Sequence, residues 1–186
     1  MDRTALESPA LLARVARPNR YLGNALHAPK KPLAAASVKV CLVLADAYEI
    51  GMSHLGLRIL HHILNRRPDT AAEFCFAPWA DAEAALLQTG QRLFSLESQT
   101  PLADFDLIGV SLQYELHYTN VLNMLHLGGV PLHADERGED DPLVVGGGHA
   151  AFNPEPMSAF FDVFVVGDGE EVTELVVDEV KAWRQG

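Results

Sequence analysis

Val38-Lys39-Val40-Cys41-Leu42-Val43-Leu44-Ala45 runs directly into Asp46-Ala47-Tyr48-Glu49-Ile50-Gly51-Met52-Ser53-His54-Leu55-Gly56. Apart from Lys39, the first eight residues are apolar and rich in β-branched side chains, the pattern of a strand buried on both faces. Beyond the polar connection, Leu55, Ile59, Leu60 and Ile63 recur at helical spacing. A helix is therefore expected from about Ser53 to Asn65 with those four residues on its buried stripe, ending ahead of Pro68. A doubly buried strand followed at once by a helix is half of a parallel βαβ unit.

The alternation repeats outward from this unit. Glu73–Ala77 reads as a short strand, and Ala80–Gln88 as an alanine-rich helix closed by Gly90. Leu93–Leu96 fits a short extra strand. Asp106–Leu112 is the third main strand, followed by a helix from about Glu115 to Leu127. Pro142–Gly146 and Asp162–Val166 are the fourth and fifth strands, and a helix from Glu170 to about Trp183 ends the series. Such units, joined by right-handed crossovers, specify an α/β fold of three layers. The expected sheet is five-stranded, parallel, doubly wound and flavodoxin-like, with strand order 2-1-3-4-5. Residues 37–186 hold this fold. Residues 1–36 are a separate arm, with a helix over 8–16 capped by Ser8 and preceded by Leu6, then an irregular segment broken by prolines.

Composition narrows the function classes. The chain has 186 residues, of which 48% are hydrophobic, and a formal net charge of −11. High apolar content rules out intrinsic disorder, and no apolar run approaches the roughly 20 residues of a membrane span. No secretory leader is visible at Met1-Asp2-Arg3-Thr4, and two cysteines, Cys41 and Cys75, build no disulfide framework, which fits a cytoplasmic location. Charge is divided unevenly: residues 1–40 carry seven Lys/Arg against two Asp/Glu, residues 41–186 seven against 23. The acidic body would repel phosphates, so nucleic-acid binding is not expected. The basic arm, with Arg14, Arg17, Arg20, Lys30 and Lys31, either packs on that body or on a partner, or stays solvated.

Ligands of open α/β sheets bind beyond the carboxyl ends of the strands. The residues to inspect there are Asp46, Tyr48, Gly51, Met52, Ser53 and His54 after the first strand, and Ser111, Leu112 and Gln113 after the third. Gly146, Gly147, Gly148 and His149 follow the fourth, and Gly167, Asp168 and Gly169 the fifth. Glycines at such ends let a backbone approach a ligand closely or take positive φ.

Asp46-x-Tyr48-x-x-Gly51 resembles the Asp-x-His-x-x-Gly loop of cobalamin-binding domains, with tyrosine in the histidine position. Ser111-Leu112-Gln113 stands where that family has Ser-x-Leu, and Gly146-Gly147-Gly148 where it has a Gly-Gly pair. The longer runs Asp46–Leu60, Phe105–Asn123 and Asn153–Glu171 resemble the N-terminal cobalamin-binding-like domain of a family of large radical-SAM proteins. The resemblance implies a cobalamin with its tail between sheet and helices, no histidine under cobalt, and a radical-SAM barrel of the same protein as partner. S-adenosylmethionine and a [4Fe-4S] cluster would belong to that barrel, because its three-cysteine motif is absent here. The chain by itself is expected to carry no catalysis, and no metal is expected to be held directly by side chains.

Two other readings have support in the residues. One is a ligand-free docking scaffold with the same fold, to which Tyr48 and Gln113 point. Gly146-x-Gly148-x-x-Ala151 with Asp168 formally fits a dinucleotide fingerprint, although it falls on the fourth strand and Asn153-Pro154-Glu155-Pro156 leaves little room for a helix. Each candidate also has a plain structural role open to it: Asp46 as a helix cap, Tyr48 as a packing residue, and Gly146–Gly148 as a turn.

Overall fold

The structure, a computed structural model, describes residues 9–23 and 31–185. Leu6, Ser8 and Lys30 lie outside them. Five strands form one parallel sheet: β1 (Val38–Leu44), β2 (Thr70–Phe76), β3 (Leu107–Ser111), β4 (Leu143–Gly147) and β5 (Val163–Phe164). Their order is β2-β1-β3-β4-β5, as the alternation predicts. The helices are α1 (Pro9–Leu12), α2 (Tyr48–Ser53), α3 (Leu55–Arg66), α4 (Ala80–Thr89), α5 (Tyr118–Gly128) and α6 (Gly169–Gln185). None of them is long and apolar enough to cross a membrane.

Alternation of side chains along each strand divides the core into two layers. Cys41, Val43, Cys75, Ile108, Val110 and Val144 share one layer with Ala85 and Leu86 of α4 and Val121, Met124 and Leu125 of α5. Val38, Val40, Leu42, Leu44, Phe74, Phe76, Leu107 and Val145 share the other with Leu57 and Leu64 of α3 and Val177 and Val180 of α6.

Three local expectations are corrected. The helix after β1 is two helices, since His54 (φ −75°, ψ 103°) breaks the chain between α2 and α3. The buried stripe of α3 is Leu57, His61 and Leu64, while Leu55 and Ile59 face outward. The break re-aims the helix, so its phase could not be continued from residues ahead of it. Leu93–Leu96 makes only an isolated antiparallel bridge, Phe94 to Pro101, because its main chain is otherwise spent on loop contacts such as Ser95 N–H to Thr100 O.

The basic arm packs on the acidic body. Leu11 and Val15 are buried, Arg17 and Arg20 pair with Glu49 of α2, and the Tyr21 hydroxyl accepts from the Trp79 amide. At the amino end of the sheet, aspartates stand just before β2, β3 and β5. Asp69 pairs with Arg67 and Lys181, Asp106 with Arg184, and Asp162 with Arg137. Asp106 and Asp162 also accept backbone N–H bonds from the neighbouring strands' Lys39 and Val144. These carboxylates take the amide groups that strand ends leave without partners.

Candidate functional site

Between the sheet and the α3/α6 layer lies a cavity of about 400 Å³. Its floor is the alternate residues Val40 and Leu42 of β1, Leu107 and Gly109 of β3, and Val145 and Gly147 of β4. Leu57 and Leu60 of α3 and Thr173 and Val176 of α6 form its roof. The slot exists because the floor is shallow at its centre: a Cβ on Gly109 would meet Leu42 Cδ2 at 3.2 Å. A glycine inside a doubly buried strand is the sequence mark of such a close approach.

The mouth opens at the carboxyl ends of the strands. His54, Ser111, Gln113, Gly147, Gly148, His149, Gly167, Asp168 and Gly169 line it, so the structure brings together nine of the sixteen residues proposed from the sequence. Gly56 and Glu170 join them.

The three glycines at the end of β4 serve three different ends. A Cβ on Gly146 would crowd the rings of Phe161 and Phe164 at 3.0 Å, so this residue serves packing behind the sheet. Gly147 faces the slot, where the nearest atom to a Cβ would be Val165 O at 3.9 Å. Gly148 has φ +98°, and a Cβ there would lie 2.7 Å from Leu112 O. Only glycine takes that conformation at such an approach.

His54 caps α3, its Nδ1 accepting from the Leu57 amide at 3.1 Å. In the neutral ring Nε2 then carries the hydrogen, which makes it a donor and not a metal ligand. Gln113 Nε2 donates to Ser111 Oγ at 2.6 Å, joining the two polar groups at the end of β3.

The other seven candidates are placed elsewhere. Tyr48 packs edge-on against Phe76, with ring centroids 6.0 Å apart. A Cβ on Gly51 would penetrate that same ring at 2.2 Å. Met52 packs against the α3/α6 core layer, and Ser53 Oγ donates to carbonyls of its own helix, Glu49 and Ile50. Leu112 is buried in the opposite layer. Asp46 does not cap α2, whose N-cap is Ala47 without a side-chain bond. It accepts from the Ala47 amide and faces His117, 3.6 Å from Nε2. The His117 pairing had no sequence signal, because it depends on how the turn after β3 folds back over β1.

No group of three or more metal-ligating side chains occurs among the described residues. Cys41 and Cys75 are both buried in the sheet.

An open parallel sheet, doubly wound, with an apolar slot under glycine-bearing strand ends, is the architecture of a ligand-binding α/β domain. Comparison with protein families specifies the kind: residues 56–186 match the family described as radical SAM proteins, N-terminal. With more than half of its length matched, the chain belongs to that family. No curated protein matches it.

Proposed function

We propose that the chain is the corrinoid-holding region of a radical SAM protein, with the nucleotide tail of a cobalamin in the slot between the sheet and α3/α6. The cavity carries this reading. At about 400 Å³ it lies within the range of pockets that take small organic groups. It suits an aromatic base and sugar, and is too small for a whole corrinoid, which leaves the macrocycle outside the mouth. The apolar floor and roof would hold the base. The Nε2–H of His54, Ser111, Gln113 and the backbone at Gly147–Gly148 and Gly167–Gly169 would hold the polar parts. When bound, the corrinoid would supply a cobalt centre able to carry a methyl group. The loop after β1 offers no histidine to it: Tyr48 is turned to Phe76, and the free nitrogen of His54 is a donor.

On this reading S-adenosylmethionine and the [4Fe-4S] cluster belong to the radical SAM domain of the full protein. A dinucleotide is disfavoured, because Gly148 is followed by the short 3-10 turn His149–Phe152 and no α-helix begins there to receive a pyrophosphate.

The test is to incubate the protein with hydroxocobalamin, desalt it and record the absorption spectrum. A retained corrinoid band near one equivalent supports the proposal. A colourless protein at high concentration overturns it and leaves the ligand-free scaffold.

A further inference from the structure

The two ends of the sheet have opposite surface chemistry. At the amino end, Arg67, Arg137, Lys181 and Arg184 close the strand starts in ion pairs. At the carboxyl end, each of the five strands is followed by a large apolar side chain left in solvent. These are Leu55 at 70% exposure after β1, Trp79 at 55% after β2, Leu116 at 79% after β3, Phe152 at 69% after β4 and Val166 at 57% after β5. Exposed large apolar side chains gathered at one end of a sheet are a mark of an interaction face.

The rim is also predominantly acidic. Asp46, Glu49, Asp81, Glu83, Glu115, Glu155, Asp168, Glu170 and Glu171 fall in the connections or in the first turns after them, against one basic residue, Arg58 in the first turn of α3. Glu49 is met by Arg17 and Arg20 of the arm, the latter also lying 4.8 Å from the Trp79 ring centroid, and Asp46 faces His117. A surface that complements the rim therefore combines apolar and basic residues, since opposite potentials steer and register a docking pair. Self-association through the rim would oppose acid to acid, which argues against a second copy.

We infer that the carboxyl rim is the face on which the radical SAM domain of the same protein docks, through a surface that combines apolar residues with lysine and arginine. Membership of a family of N-terminal regions supplies the occupant, and the charge pattern its chemistry. The cavity mouth then opens into the interface, so a ligand in the slot meets the second domain on its outer side. The inference goes beyond the corrinoid reading and holds with the slot empty or filled.

Carbene footprinting tests it, with the 186-residue chain and the full protein that carries the radical SAM domain labelled in parallel. Labelling of Leu55, Trp79, Leu116 and Phe152 is expected to fall several-fold in the full protein. Leu87 of α4 and Leu175 of α6, also exposed but on the flanks, serve as internal controls and stay labelled. Equal labelling of the rim in both proteins, or protection of Leu87 and Leu175 in its place, overturns the inference. So does a rim already protected in the isolated chain by dimerisation, which sedimentation velocity detects. Leu116→Glu with Phe152→Glu in the full protein should restore labelling at Leu55 and Trp79. Neither residue enters the core, and an unchanged melting curve confirms that the fold is kept. Each footprint is run without and with hydroxocobalamin. Failure of the corrinoid reading appears as a missing absorption band and leaves the footprint comparison intact.

Discussion

His117 Nε2 lies 3.6 Å from Asp46 Oδ2 where the ends of β3 and β1 meet, and neither ring nitrogen of His117 makes a hydrogen bond among the described residues. The ring is buried and rests against Tyr114, with centroids 4.1 Å apart. Burial lowers its pKa, and nearby His54 lowers it further. Asp46 works in the opposite direction without cancelling the effect.

A pH dependence follows. With a folded pKa below the value of about 6.5 for a free imidazole, the unfolded chain binds more protons at mildly acid pH. The contribution of His117 to stability is thus steady above that value, falls as pH drops below it, and levels off once the folded group is also protonated. Urea midpoints of the wild type and of His117→Gln at about pH 7.5 and about pH 5.5 check this, as the two values straddle that titration. The substitution should flatten the fall in stability between them, and an unchanged slope would assign the fall to other groups.

Gly51 should tolerate no larger residue while Phe76 is present. Gly51→Ala places a methyl group 2.2 Å from ring atoms of Phe76 and is expected to cost about 1–3 kcal/mol, the usual weight of overpacking. Phe76→Leu in the same chain should recover part of that loss, and a double-mutant cycle by urea denaturation measures the coupling.

Asp69 ties the end of α6 to the start of β2. Its carboxyl is held well below the usual carboxylate range, chiefly by Lys181 Nζ at 2.6 Å, then by Thr70 and Arg67, against the opposing effect of burial. Its stabilisation is complete above the unfolded pKa of about 3.9 and is lost as pH falls from there toward the folded value. Asp69→Asn should cost roughly 1–3 kcal/mol at neutral pH, as for charge-assisted hydrogen bonds. The deficit should shrink in strong acid, where the wild-type carboxyl is also neutral; a deficit independent of pH would point to packing alone.

Tyr48→His is expected to leave the spectrum of any bound corrinoid without nitrogen ligation, because position 48 faces Phe76 and not the slot. Electron paramagnetic resonance of the Co(II) form reads this directly, through the presence or absence of nitrogen hyperfine splitting.

The sheet was legible because its strands are continuous apolar runs with glycine or polar punctuation, and their alternation with helices implies the doubly wound order. The slot was half legible. Gly147, Gly148 and His54 stand at strand ends, where position in the chain already marks them. Gly109, Leu60 and Val176 line its depth, and reading them required knowing which strand face meets α3 and α6. The Asp-x-Tyr loop resembles a liganding motif, but Tyr48 and Gly51 pack against Phe76 and Met52 against the α3/α6 layer, the packing role that the sequence had left open for Tyr48. His117 was passed over since nothing in its neighbours shows that the turn after β3 brings it to Asp46. Exposure of Leu55 was likewise hidden, as a leucine on a helical stripe reads as core until the helix is placed.

The most direct test compares cobalamin with cobinamide, a corrinoid that lacks the nucleotide tail, in absorbance titrations of the protein. If the tail fills the slot, cobalamin should bind about 100-fold more tightly, equivalent to roughly 3 kcal/mol of buried apolar surface. Gly147→Phe, which projects a ring into the slot, should erase that preference. Equal affinity for the two corrinoids, or a preference that survives Gly147→Phe, would contradict the account.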